Sequence, residues 1–129
     1  GLIVETGAVV RNRTAAAINA TATATAAQVA GGLITSTSAA ATTITLPTAT
    51  AILALVSGGG IGTTVDFIVD NSQGASTVTV ALDASITAVA SPVITGGGTL
   101  TLVGSGTNEV GMFRLYFYSA TAATIARIY

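Results

Sequence analysis

The sequence predicts an all-β protein: a jelly-roll-like antiparallel β-sandwich of about eight strands, with one short helix and an extended N-terminal arm. Three observations carry that expectation. From residue 33 onward, short apolar runs are separated by Gly, Ser, Asn and Asp clusters, as in sandwiches and barrels. Several of those runs alternate strictly between apolar and polar side chains, the period of a half-buried strand. Residues 1–32 are rich in Ala and Thr and hold few large apolar side chains, too few to build a core alone. The expected organisation is an arm over 1–32 and a β-sandwich domain over 33–129.

In chain order, residues 28–32 have room for one helical turn ending at Gly31-Gly32. Residues 42–46 alternate, with Ile44 and Leu46 on one face, and Pro47 stops that strand because it has no N–H to donate. Residues 48–56 read as the single helix. Thr48 is a plausible N-cap, and Ile52, Leu55 and Val56 fall at the i, i+3, i+4 spacing of a buried stripe. The glycines after Ser57 end it. Residues 64–70 form the clearest central strand, with Val65, Phe67 and Val69 pointing one way and Asp66, Ile68 and Asp70 the other.

Asn71-Ser72-Gln73-Gly74 is a turn, since these residues tolerate tight and left-handed backbone. Residues 77–82 then alternate, with Val78, Val80 and Leu82 inward. Asp83 and Ala84 turn the chain into a weaker strand over 86–90, broken by Ser91-Pro92. The glycine run 96–98 leads into residues 99–103, with Leu100 and Leu102 inward, and 104–108 is a loop. Residues 110–118 form a long strand with Phe113, Leu115 and Phe117 on one face and Met112, Arg114, Tyr116 and Tyr118 on the other. Residues 124–129 close the chain as a last strand.

Composition excludes most chemistry. There is no Cys, His, Trp or Lys. Without Cys there is no disulfide, thiolate nucleophile or thiolate-bound metal. Without His the commonest general base and metal ligand is missing, and without Lys there is no Schiff base. No cofactor and no enzymatic activity are expected. The formal net charge of −1 gives no nucleic-acid footprint. The most apolar stretch, 51–56, is far shorter than the roughly 20 residues of a bilayer helix, so no membrane association is expected. Residues 1–4 lead straight to Glu5 with no basic region ahead, so no signal peptide is expected.

What remains are weak ligand sets and possible contact surfaces. The glycine-rich stretch 57–64 follows a helix and precedes a strand, the reverse of a phosphate loop, and reads as a connection. Asp66 and Asp70 lie roughly 13 Å apart along one strand, too far to share an ion. Asp70, Asn71 and Asp83 make a loose calcium set only if two loop ends meet; otherwise they bond local backbone. The Asn12 and Asn19 glycosylation sequons read as incidental in so Thr-rich a segment. Arg114, Tyr116 and Tyr118 are the candidate protein interface, since Arg and Tyr are enriched there. Their alternatives are packing within the fold and stacking on sugars. Arg11 and Arg13 are candidates to anchor the arm on an acidic neighbour; the alternative is solvation.

The decisive oddity is the shortage of charge. Nine charged residues in 129 leave few of the interspersed charges that keep free monomers apart, so much of the surface is expected to be buried in an assembly.

Residues 26–129 resemble small bacteriophage head-decoration, or cement, proteins. The likeness lies in a strand ending in Leu46-Pro47, a short Ala-rich helix, and Gly60-Ile61-Gly62 before the VDFIVDN strand. The Asn/Gly turn, the TVTVAL strand and the late FRLYFY strand complete it. The resemblance implies a homotrimer on the outer capsid surface, cementing neighbouring major capsid subunits, with the arm reaching across them. The alternative is a tail, fibre or spike module contacting host surface glycans.

Overall fold

The chain runs twice through a strand of one sheet, a strand of the other and a short helix, and a third time through a strand of each sheet and then a further strand of the first, before it reverses. The computed structural model describes residues 12–89, 100–102 and 109–129. The first pass is β1 (Thr14–Ala17), β2 (Ala22–Thr23) and α1 (Ala26–Ala30). The second is β3 (Gly32–Thr35), β4 (Thr42–Thr45) and α2 (Ala49–Leu53). The third is β5 (Thr64–Asp70), β6 (Val78–Ala81) and β7 (Ile86–Ala88). Then come β8 (Thr101–Leu102), β9 (Val110–Phe117) and β10 (Ala123–Arg127).

Equivalent strands of successive passes stack in parallel. Thr14 lies beside Gly32 and Leu33 beside Ile68; in the other sheet Ala22 lies beside Ile44 and Thr42 beside Val78. The returning strands pair antiparallel, β8 on β6, β9 on β5 and β10 on β9, and β10 also takes β7 in parallel. The result is a six-stranded sheet, β1-β3-β5-β9-β10-β7, and a four-stranded sheet, β2-β4-β6-β8.

This corrects the expected fold class. The molecule is mixed α/β, with ten strands in two mixed parallel and antiparallel sheets and two short helices among the described residues, and is not an all-β antiparallel jelly roll. The turns explain why. Those at 36–41 and 71–77 carry the chain across to the other sheet instead of folding it back beside the strand it has left. Neighbours in a sheet then come from different passes, and parallel pairing follows.

The expected arm is corrected over residues 14–30. They supply β1, β2 and α1, and Ile18, Ala24 and Val29 join the same core cluster as the rest of the chain. Ala/Thr strands cannot build a core alone, but here they only have to cover one. Residues 1–11, with Arg11, lie outside the described residues, as do 90–99 and 103–108, which hold the Ser91-Pro92 break, the glycine run and the 104–108 loop.

Both helices start on a threonine cap. Thr25 accepts the Gln28 N–H while the Gln28 side chain accepts the Thr25 N–H, a reciprocal capping box. Thr48 caps α2 through the Ala51 N–H. The buried stripe of α2 is Ala49, Ile52 and Leu53, one turn earlier than expected. The helix tightens at its end, where the Leu55 and Val56 N–H groups bond the Ile52 and Leu53 carbonyls. That tighter turn swings Leu55 out into solvent.

The core lies between the sheets and under the helices. Phe67 and Phe113, directly paired across β5 and β9, stack with ring centres 5.4 Å apart. Leu115, Phe117, Ile34, Ile44, Ile52 and Ile125 are fully buried around them. Two buried polar residues depart from the expected pattern. Asn71, expected as a turn residue or a member of a loose calcium set, is fully buried, and its amide donates to the Ser76 and Leu102 carbonyls, tying the end of β5 to the second sheet. Arg127 points inward from β10. It donates to the Thr101 and Tyr129 carbonyls, pairs with Glu109, and lies 6.0 Å over the Phe113 ring.

Candidate functional site

The outer face of the six-stranded sheet carries the residues that chemistry singles out. Strand alternation puts Val65, Phe67, Val69, Phe113, Leu115 and Phe117 inside and leaves the residues between them facing out. Register then aligns the outward residues in rows across the strands. Leu33, Ile68 and Met112 are direct neighbours on β3, β5 and β9, and the Ile128 N–H donates to the Met112 carbonyl at 2.7 Å. These four make an apolar row, each only half-buried. None of them belongs to the core cluster. The buried side chains of α1 and α2 enter that cluster instead of lying over the row.

Two residues along, the next row is charged. Asp66 on β5 faces Arg114 on β9, and the guanidinium grips the carboxylate with two hydrogen bonds, Nε to Oδ1 at 2.8 Å and Nη2 to Oδ2 at 2.9 Å. Hydrogen bonding to Asp66, and then its charge, raise the Arg114 pKa further above its already high value. Arg13 reaches in from before β1, and its Nη1 donates to the Gly32 and Asp66 carbonyls at 2.7 and 3.2 Å. The row after that holds Thr64, Tyr116 and Thr124, with Tyr118 beyond the strand end. Tyr116 and Tyr118 are 45% and 49% exposed.

The face therefore grades from apolar, through a bidentate ion pair, to two exposed tyrosines. That mixture suits a protein contact, where an apolar centre is rimmed by Arg and Tyr. Of the candidate residues, Arg114, Tyr116 and Tyr118 lie together on this face. Arg13 is bound to the backbone of the same sheet, and Arg11 lies outside the described residues. The apolar row is the part that sequence reasoning missed. Its signals were Ile68, an apolar side chain alternating outward between Asp66 and Asp70, and Met112, on the same face as Arg114.

The acidic residues elsewhere are engaged locally. Asp70 Oδ1 accepts the Ser72 N–H, and Asp83 Oδ2 accepts the Ser85 N–H and hydroxyl at 2.9 and 2.6 Å. Those Ser85 bonds, the hydroxyl foremost, hold the Asp83 carboxyl below its ordinary value. Among the described residues no group of three or more acidic side chains gathers to hold a metal ion. Among them, too, no helix is long and apolar enough to cross a membrane.

Comparison of the chain with protein-family models, with curated proteins and with solved structures returns no match.

Proposed function

We propose that this chain is a structural virion protein that binds the outer surface of a bacteriophage capsid and cements neighbouring major capsid subunits. It docks through the outer face of the six-stranded sheet. The observation that carries this is the half-buried apolar row of Leu33, Ile68, Met112 and Ile128 on that face. Among the described residues the core cluster lies against the inner face of this sheet, and none of the four belongs to it. A partner that covers the row removes apolar surface from water; Arg114, Tyr116 and Tyr118 then rim the contact. Low charge favours the same role. Two of the few ion pairs available, Arg114–Asp66 and Arg127–Glu109, are closed within the chain. The resemblance of residues 26–129 to head-decoration proteins adds the capsid as the partner and a homotrimer as the assembly. No catalytic step or cofactor has a part in this role.

The test is to mix the purified chain with capsid shells that lack it and to locate it by antibody label in intact particles. Wild type is expected to co-sediment with shells and to label them all round. Ile68→Asp is expected to stay folded and remain in the supernatant. Wild type that ignores shells overturns the proposal. A label confined to the tail favours the second reading, a tail, fibre or spike module in which the exposed rings of Tyr116 and Tyr118 stack on host glycans.

A further inference from the structure

The outer face of the six-stranded sheet carries the only sulfur in the chain. The sequence has one Met and no Cys or Trp, so a peroxide finds a single readily oxidised side chain. That residue is Met112, and its place is fixed from both sides. Ile68 is its direct partner across the β5–β9 ladder, and Leu33 stands beyond Ile68 on β3. On the other flank the Met112 N–H donates to the Tyr129 carbonyl at 2.9 Å, and the Met112 carbonyl accepts the Ile128 N–H at 2.7 Å. With its backbone held on both flanks, the side chain could reach the inner face only by a one-residue slip of register. Met112 is half-buried and outside the core cluster, so its thioether is within reach of a molecule as small as a peroxide.

The surroundings decide what oxidation does. Hydrogen peroxide gives one oxygen atom to the sulfur: the O–O bond breaks, an S–O bond forms, the thioether is oxidised by two electrons and the peroxide is reduced to water. The sulfoxide carries a polar acceptor oxygen where the thioether was apolar. Leu33, Ile68 and Ile128 have no side-chain donor to offer it. Arg114, the one cationic side chain on β9, already grips Asp66 through Nε and Nη2. In the free chain water can bond the new oxygen, whereas a partner lying on the row buries it.

We propose that Met112 is a redox modification site, and that its sulfoxide releases the chain from the partner that covers the row. This site rests on the docking face proposed for the outer row and supplies its regulation: peroxide undocks the chain, and reduction of the sulfoxide restores docking. The coupling is reciprocal, since a seated partner also shields the sulfur.

Peroxide treatment, mass spectrometry and co-sedimentation with capsid shells read the outcome. The free chain is expected to gain one oxygen atom, located at Met112 by peptide mapping, and to keep its circular dichroism spectrum. The oxidised chain is expected to bind shells at least about tenfold more weakly, because docking buries an acceptor that has no donor. Methionine sulfoxide reductases of both epimer specificities, with dithiothreitol as reductant, are expected to restore mass and binding together. Chain already on shells is expected to oxidise more slowly than free chain. Untreated chain that ignores shells overturns the docking face, and this inference with it. Untreated chain that binds, with the oxidised chain binding equally well, overturns this inference alone. So does binding that stays lost after reduction, an equal rate of oxidation on and off shells, or a folded spectrum lost on oxidation, which would assign the sulfur to the fold.

Discussion

Asp66 and Arg114 face each other across the β5–β9 ladder, and their side chains close a bidentate pair on the outside of the sheet, 2.8 and 2.9 Å between partners. The pair is open to solvent on the arginine side, so it contributes to recognition more than to folding. An exposed ion pair is worth about 0–1 kcal/mol. Arg114→Ala is expected to lower stability by less than about 1 kcal/mol in urea titration. The same variant is expected to weaken shell binding at least about tenfold, as loss of an interface arginine does. A large loss of stability with unchanged shell binding would invert the roles assigned here.

Phe67→Ala has the opposite signature. The ring is fully buried and stacked on Phe113 at the centre of the core. Its removal leaves a cavity that the β5–β9 ladder cannot close, at a cost of about 3–5 kcal/mol. Thermal melting followed by circular dichroism reads this directly, and a small shift in midpoint would contradict the burial of β5.

Arg127 is the other buried anchor. Its guanidinium joins Glu109 at the start of β9 to the β8 backbone at Thr101. Arg127→Ala removes the hydrogen bond to the Thr101 carbonyl and the ion pair with Glu109. Because Glu109 is partly solvated, the expected cost is about 2–4 kcal/mol, below that of a fully buried pair. Arg127→Met, which keeps the packing over Phe113, is expected to recover part of that loss in the same chemical denaturation series.

Ser85 links a carboxylate to a helix start. Its hydroxyl donates to Asp83 Oδ2 and accepts the N–H of Ala49, the first residue of α2. Ser85→Ala leaves that buried N–H without its partner, an expected loss of about 1–2 kcal/mol. The pH dependence has a defined sign. The Asp83 carboxyl is held low in the folded chain, so its contribution is present above the ordinary carboxylate pKa and is lost as pH falls through the lowered folded value. Wild type is expected to lose stability on acidification more steeply than Ser85→Ala. Parallel acid-titration curves for the two would show that this bond does not hold the carboxyl low.

Deleting residues 1–32 is expected to unfold the protein. The segment contributes Ile18, Ala24 and Val29 to the core, and β1 and Arg13 to the sheet that bears the candidate face. A truncated chain that stays folded under limited proteolysis would show that β1, β2 and α1 can be dispensed with.

What the sequence determined by itself was the side on which most residues lie. Alternation placed Val65, Phe67 and Val69 against Asp66, Ile68 and Asp70, and Phe113, Leu115 and Phe117 against Arg114 and Tyr116, because the two faces of a strand follow from backbone geometry alone. Thr48 was legible as a helix cap for the same local reason. Which strands are neighbours, and in which direction, was decided only in three dimensions. The ladder is made of backbone groups that every residue shares, so alternating side chains read the same in a parallel pair as in an antiparallel one. Only the closed structure shows that β1 and β2 cover the core, that Leu33, Ile68 and Met112 line up, and that Asp66 meets Arg114.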